Sequence, residues 1–579
     1  MHLVTTPIEE TWPKEGRILF LGEWCKIYNK KHIWGQRDYE VLDYHWDNRK
    51  KYFNDYLYLT QVYEFVLEAL STKLNEIHNE NYSERYWRIL IGPWLTFFIH
   101  ALFDRWTMIE MATSQYKSMQ CNLIQRTQGE YISKNMSHFG SKAINDDWNE
   151  VIYSEIITKF FSDQIKINTI EIGKKNIVDD NMIIKKPYKN QIVDTVFKLV
   201  NKLSKNHEFF FIDTLMPRHF DLKVQLKLKQ IPKIWSRPKL PDVEPNLSKR
   251  NWSLEFPSER FYSVLNFMIP RHIPLIYLEG YKSLSTHLDS LNWPKSPKAM
   301  LTGNIGKHEG INMWLAKKAE EGVPLFIRQH GGVYGICQFS SFQDHEIAVS
   351  DYWLSWGWKD SANDKVIPFG QHKYIDNDVT CDSNGGALIV GVSTVRYSCQ
   401  ILAHHISGQW KYYFEDQVNF VEALPESLRR HITVRLMHID HGVCQKERWQ
   451  DKFDDVFIEE AKVPLKSLIE KNRIYISTYN ATTFLESLSW NIPTIIYWDS
   501  AFNELNERAE HDFELLKSVG IFHDSPKSAA KHLTGIWHSI PAWWNDKKLQ
   551  DIRENFCSKY ANTSTDPINQ FVAKIETLL

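Results

Sequence analysis

Glycine is sparse, 24 of 579 residues, and the glycine motifs that cradle phosphates are missing. There is no G-x-x-x-x-G-K-[S/T], no G-x-G-x-x-G, no G-x-S-x-G and no H-E-x-x-H. This counts against a P-loop ATPase, a fingerprint dinucleotide enzyme, an elbow-type serine hydrolase and a zincin. Seven cysteines (Cys25, Cys121, Cys337, Cys381, Cys399, Cys444, Cys557) stand far apart, odd in number and without a C-x-x-C pair. Neither a disulfide framework nor a cysteine zinc site fits, whereas a reducing cytoplasm does. An excess of one charge is also lacking. Lys+Arg 69 against Asp+Glu 71 leaves a net charge of -2, so no overall field draws the chain to nucleic acid or to an anionic membrane. The opening "MHLVTTPIEETWPKEGR" has acids and prolines where a secretory signal needs roughly 7 to 15 apolar residues. The most membrane-like run, "ILIGPWLTFFIHALF" at residues 89–103, falls short of the roughly 20 residues needed to span and has Arg88 and Asp104 at its edges. It reads as a buried helix.

What is present is an ordinary globular composition, 43% hydrophobic and 24% charged, in a chain too long for one core. Short runs rich in Ile, Leu, Val and Phe recur, each ending in Gly or polar residues and most followed by a helix-like stretch. Buried parallel strands alternating with helices read this way. The first half supplies "RILFLGEW" at Arg17, "FFFIDT" at Phe209, "IPLIYLEG" at Ile273, "AMLTGN" at Ala299, "PLFIRQHGG" at Pro324 and "IAVSDYWLSWG" at Ile347. The second supplies "GALIVGVST" at Gly386, "ITVRLMH" at Ile432, "IYISTYN" at Ile474 and "PTIIYW" at Pro493. Three-and-four spacing of apolar residues predicts a helical insertion over about 55–165. The charged stretch 173–190 reads as an exposed loop. The polar, turn-rich "IDNDVTCDSNGG" before Gly386 sets the main boundary, giving α/β domains at 1–380 and 381–579, two Rossmann-like halves facing a cleft.

In open parallel sheets, ligands bind outside the carboxyl ends of the strands, so the residues just after each apolar run matter. Glu23, Asp213, Glu279, Asn304, Gln329 with His330, and Asp351 follow or close the runs of the first half. Ser393, Thr394 and Arg396, then His438, then Ser477, Thr478 and Asn480 do so in the second. His330 precedes Gly331 and Gly332, which allow close approach of a ligand, and an imidazole there suits proton transfer. Thr482 or Thr483 is placed to cap a helix whose N-terminus suits a phosphate. Glu486, one turn in, is placed to reach a ribose diol, and Arg396 offers a cationic fork for a diphosphate or a sugar carboxylate. "HIDH" at His438 has no nearby third ligand and reads as loop chemistry, not a metal site. Trp356 and Trp358 offer a sugar-stacking platform.

At these residues a resemblance enters. "STYNATTFLESLSWNIPTIIYW" resembles the donor-binding segment of two-domain GT-B glycosyltransferases. With "RILFLGEWCKIYNKKHIWGQRDYEVLDYHWDNRKK", "NENYSERYWRILIGPWL", "FIDTLMPRHFDLKVQLKLKQIPKIW" and "FIRQHGGVYG", nearly the whole chain looks like a family of bacterial transferases encoded with surface-polysaccharide and O-antigen genes. Gln329 to Gly331 is also similar to the His-Gly element of capsule sugar and polyol-phosphate transferases. The GT-B resemblance implies a nucleotide-sugar donor on the C-terminal domain, a glycan or lipid-linked acceptor on the N-terminal one, no cofactor and no bound metal. "WNIP" departs from the usual Gly-x-Pro at Pro493.

The expectation is therefore a cytoplasmic glycosyltransferase, with peripheral contact to the inner face of the cell membrane left open. His330 is the first choice of base, ahead of Glu23 and Asp351. Ser393, Arg396, His438, Ser477, Asn480, Thr482, Thr483 and Glu486 are assigned to the donor, and Gln329, Gly331, Gly332, Asp213 and Glu279 to the cleft. Two alternatives stay open: a polyol-phosphate or glycerophosphate transferase, and a non-catalytic glycan-assembly protein. A nucleotide-sugar epimerase would differ from all three in releasing an isomer without any acceptor.

Overall fold

A computed structural model describes residues 1–172, 205, 207–371, 379–564 and 566–579. The stretch 173–190 and the first part of the boundary segment lie outside these residues. The described strands form three parallel sheets, two in the N-terminal half and one in the C-terminal half. The first comprises β1 (His2–Val4), β2 (Ile18–Phe20), β3 (Tyr39–Val41), β4 (Met119–Ile124) and β5 (Ile165–Ile170) in the order β3-β2-β1-β4-β5. The second comprises β6 (Phe210–Phe211), β7 (Met300–Thr302), β8 (Leu325–Arg328), β9 (Tyr352–Ser355) and β10 (Val366–Pro368), laid side by side in chain order. The third comprises β11 (Gly386–Val390), β12 (Ile432–Arg435), β13 (Phe457–Glu459), β14 (Asn472–Ser477), β15 (Thr494–Tyr497) and β16 (Phe522–His523). Its order, β13-β12-β11-β14-β15-β16, is the doubly wound 3-2-1-4-5-6 arrangement. The expected α/β architecture of Rossmann-like lobes with helical insertions is present, and the N-terminal half holds one parallel sheet more than expected.

The extra sheet is hidden because β4 lies inside the stretch that reads as helical and β5 begins where that stretch ends. "MQCNLI" and "IKINTI" alternate apolar and polar residues and so lack the continuous apolar run of a doubly covered strand. They pair in register from Met119 with Ile165 to Ile124 with Ile170. Two further readings need correction. "IPLIYLEG" is a 3-10 turn, Leu275–Tyr277, after the helix Arg260–His272, since Pro274 has no N–H to give a ladder. Ile347 to Val349 end the helix Ser341–Val349, and only Tyr352–Ser355 is strand.

The helices Arg49–His78 and Glu84–Gln115 occupy the centre of the N-terminal half. Asn48 caps the first by accepting from Lys51 N, Asn79 stops it at φ 56°, and Ser83 caps the second by accepting from Tyr86 N. Glu84–Gln115 is long and apolar enough to cross a membrane by composition, yet 89% of its most apolar window is buried in the protein.

The carboxyl ends of the sheets converge. The loop after β8 is stitched to loops of the third sheet: Gln338 N donates to Glu504 O at 2.8 Å, Asn506 N donates to Ile336 O at 2.9 Å, and Ser340 bridges Leu402. The first sheet's side joins through Arg49, whose Nε and Nη2 donate to both Glu504 oxygens at 2.7 and 2.9 Å. The last helix, Pro567–Leu578, grouped with the C-terminal domain by the sequence, crosses back. Its Phe571, Val572 and Ile575 pack with Phe211, Phe326 and Leu354 of the second sheet.

Candidate functional site

β8 ends at Arg328 and the chain turns. Gln329 is buried and its amide fully used. Nε2 donates to Gly331 O at 2.7 Å, while Oε1 accepts from Trp356 N at 2.8 Å and Trp358 Nε1 at 2.9 Å. It therefore holds the turn and does not line a cleft, and the two tryptophans, buried behind it, are not a sugar platform. His330 comes next, its side chain 20% exposed. Nδ1 lies 3.3 Å from Glu346 Oε1, beside the carboxylate without a formed hydrogen bond. Nε2 lies 3.5 Å from the Tyr334 hydroxyl. Glu346 is completely buried and its other oxygen accepts from Trp353 Nε1 at 3.3 Å. With the Glu346 carboxylate beside Nδ1, Nε2 is the ring nitrogen left to take a proton.

Two residues on, the lobes touch. Gly332 N donates to Thr482 Oγ1 at 3.0 Å. A Cβ at 332 would lie 2.6 Å from Ala481 O, whereas one at 331 would meet nothing within 4 Å. Only glycine permits the first approach. The helix so approached, Thr482–Ser489, has Ala481 at its N-cap and no side-chain cap. The expected threonine cap is absent because Thr482 accepts from Gly332 and Thr483 Oγ1 accepts from the Tyr475 hydroxyl at 2.8 Å. Alanine is a poor N-cap, so the first-turn N–H groups, at the positive end of the helix dipole, have no capping side chain and suit an anion.

Asn480 adjoins this helix start. It is 1% exposed, and among the described residues neither Oδ1 nor Nδ2 has a partner. Each such buried group costs about 1–3 kcal/mol. The third sheet reverses its strand order between β11 and β14, so residues 391–394 and 478–481 flank its switch point, where ligands of doubly wound folds sit. Ser393 Oγ donates to Asp440 O at 2.7 Å and Ser477 Oγ to Tyr479 O at 3.2 Å, bracing these loops. Glu486 is buried one turn into the helix.

Other expected residues stand elsewhere or are otherwise engaged. Arg396 clamps the lobes: Nη2 donates to Asp146 at 2.9 Å and Nη1 to Trp24 O at 3.0 Å, so its fork is occupied. Asp351 accepts from Leu325 N and Arg85 Nη2, both at 2.8 Å. Leu325 opens β8, so Asp351 sits at the opposite end of the strand from His330. Asp213 pairs with Arg237 Nε at 2.9 Å, and Glu279 takes both arms of Arg250 at 2.8 and 2.7 Å. Glu23 lines a cavity of about 240 Å³ at the tips of β2 and β3, with Asp43, Gln409 and Lys411. Burial would raise its carboxyl, but Lys26 and Lys411 outweigh burial and hold it below the usual range. A carboxylate held ionised by two ammonium groups is a poor base. His438 is exposed, and among the described residues no group of three or more His, Cys, Asp or Glu could hold a metal ion.

Residues 1–575 match the family described as LIC12162 family transferase. The chain belongs to this family. No curated protein matches it. Solved structures similar to it include the following three. The UDP-GlcNAc 2-epimerase from Neisseria meningitidis bound to UDP-GlcNAc has 12% identity and a TM-score of 0.36, over 65% of this chain and 99% of that one. Acinetobacter baumannii MurG has 11% and 0.32, over 65% and 100%. The wall teichoic acid polymerase TagF has 11% and 0.32, over 67% and 95%. At such identities and scores the likeness says nothing of this chain's chemistry.

Glu346 is the residue of the LIC12162 family transferase's site that sequence reasoning missed. Reading Ile347 as the start of a strand put Glu346 in a loop. The four-residue step from Phe342 to Glu346 on one helix face was the available signal.

Proposed function

We propose that this family transferase is a glycosyltransferase moving a sugar from a nucleotide-activated donor to a surface glycan or lipid-linked acceptor, in the cytoplasm or at the inner membrane face. One observation carries the reading: a carboxylate-backed imidazole, an uncapped helix start and a buried amide without a partner among the described residues all adjoin one of the contacts between the lobes, Gly332 on Thr482.

His330 Nε2 takes the acceptor hydroxyl's proton as its oxygen bonds to the anomeric carbon, and Glu346 stabilises the imidazolium that forms. The bond from that carbon to the nucleotide's phosphate breaks, and the electron pair leaves with the nucleotide. The first-turn N–H groups of Thr482–Ser489 and the amide of Asn480 meet the negative charge, a role that Arg396, its fork engaged by Asp146 and Trp24, does not fill. Glu486 is assigned to the ribose.

The test is a panel of uridine, cytidine and guanosine diphosphates, read by melting temperature, since a ligand of the native state raises it. Sugar- and glycerol-bearing nucleotides then follow with acceptor glycans. A nucleotide that stabilises the wild type but not Asn480→Leu, with sugar transferred to acceptor, supports the reading. Transfer of glycerol phosphate reassigns the group moved. Unchanged melting across the panel overturns the proposal.

A further inference from the structure

A second cavity, about 820 Å³, opens at the carboxyl ends of β4 and β5, between the helices Asp146–Phe160 and Arg260–His272. Its lining shares no residue with the turn at His330 or the helix start at Thr482. The crevice outside strand tips is where doubly wound sheets take ligands, and the volume is that of a small-molecule pocket.

The wall is cationic. Among the described residues, Arg126, Lys159, Arg250 and Arg271 line it, against one carboxylate, Glu155. Two of these are occupied from behind: Arg250 by Glu279, and Arg126 by Asp147 at 2.9 Å. Arg271 and Lys159 are held otherwise, over the ring of Phe267 at 4.2 and 5.7 Å. Glu155 is taken by His272 Nε2 at 2.9 Å. His272 is 6% exposed, lines the cavity, and its Nδ1 has no partner among the described residues. Trp252 and Phe267, both part-buried on the wall, add apolar faces. Two cations gathered at one ring, beside aromatic faces and an unpartnered imidazole nitrogen, match a sugar chain carrying anionic groups. Ring faces lie on aromatics while carboxylates or phosphates meet the cations.

We propose that this cavity binds an acidic oligosaccharide, the already built part of the acceptor. The acceptor role rests on the glycosyltransferase reading, whereas the binding does not. The class of enzyme acting before this one would then be a transferase that installs uronic acid or phosphate on the growing chain.

The experiment titrates the full-length protein by calorimetry with tetragalacturonate, with a glucuronate-containing tetrasaccharide, with maltotetraose and with inorganic phosphate. Expected is binding of an acidic tetrasaccharide that weakens with salt, is at least tenfold weaker in Lys159→Ala/Arg271→Ala, and is unchanged in His330→Ala. Phosphate competing with the tetrasaccharide marks phosphate as the anion recognised. The exposed single change Lys159→Glu, melting as wild type, guards against misfolding and should weaken binding by itself. Equal affinity for maltotetraose, no binding of either acidic chain, or full affinity in the double variant overturns the proposal. Retained binding with no transfer from any nucleotide sugar would sink the glycosyltransferase reading and leave this site standing.

Discussion

Replacing Gly332 by alanine places a Cβ 2.6 Å from Ala481 O and 2.7 Å from Thr482 Cα. Both are backbone atoms that cannot rotate away, and 2.6 Å is about 0.8 Å short of ordinary contact. One of the two loops must move. Overpacking of this kind costs about 1–3 kcal/mol, and losing the bond from Gly332 N to Thr482 Oγ1 adds about 0.5–1.5 kcal/mol. A loss of roughly 3 kcal/mol should lower the melting temperature of a chain of 579 residues by about 2–3 °C. Because His330 is two residues away, the displaced turn should also reduce turnover about 100-fold. Gly331→Ala is the internal control: its Cβ meets nothing within 4 Å, so stability should stay within about 0.5 kcal/mol. Scanning calorimetry and turnover of both variants decide the matter. Equal behaviour of the two would refute the claim that the lobes meet through Gly332.

Glu346→Gln should lower turnover about 10²- to 10⁴-fold with little change in donor affinity; full turnover with donor and acceptor present would remove the dyad from the mechanism. Asn480→Leu should raise stability by about 1–3 kcal/mol in urea melts, since it removes a buried amide without partners, while nucleotide binding is lost. Retained binding would show that the amide serves no ligand. Burial holds His78 and His523 down at about 4 and His100 and His345 at about 3. Lowered folded values mean that the unfolded chain takes up the protons. Stability is therefore full above about pH 6.5 and falls below it toward pH 4 and 3, by up to about 1.4 kcal/mol per unit for each histidine. Urea midpoints at pH 7.5, 6 and 5 should decline in that order, and a flat series contradicts the burial argument.

What the sequence revealed follows from how each feature is encoded. The inner strands of the second and third sheets, largely buried along their length, appear as unbroken runs such as "LFIR" and "ALIV", whereas the edge strands β10, β13 and β16 do not. β4 and β5 are not legible in this way, because their apolar and polar residues alternate, inside a long helical pattern for β4 and at its end for β5. Asp351 looked like a tip residue because the apolar run from Ile347 spans a helix end and a strand start. Its carboxylate in fact bonds the first amide of β8. Arg396 and Glu23 follow strand runs, which is why they were assigned to the donor and to the base, but local sequence cannot show that Asp146 and Lys411, hundreds of residues away, engage them. Glu346 stayed hidden for the same reason, since its partner His330 is a neighbour only in the fold.

The most direct test of the central claim is photo-crosslinking with azido-derivatised uridine, cytidine and guanosine diphosphates, followed by peptide mapping. Labels should fall within residues 329–335 and 478–486 and vanish in Asn480→Leu. Labels confined to the β4–β5 cavity or to surface helices, with these two segments unmarked, would contradict the proposal that the lobes close around a nucleotide at His330.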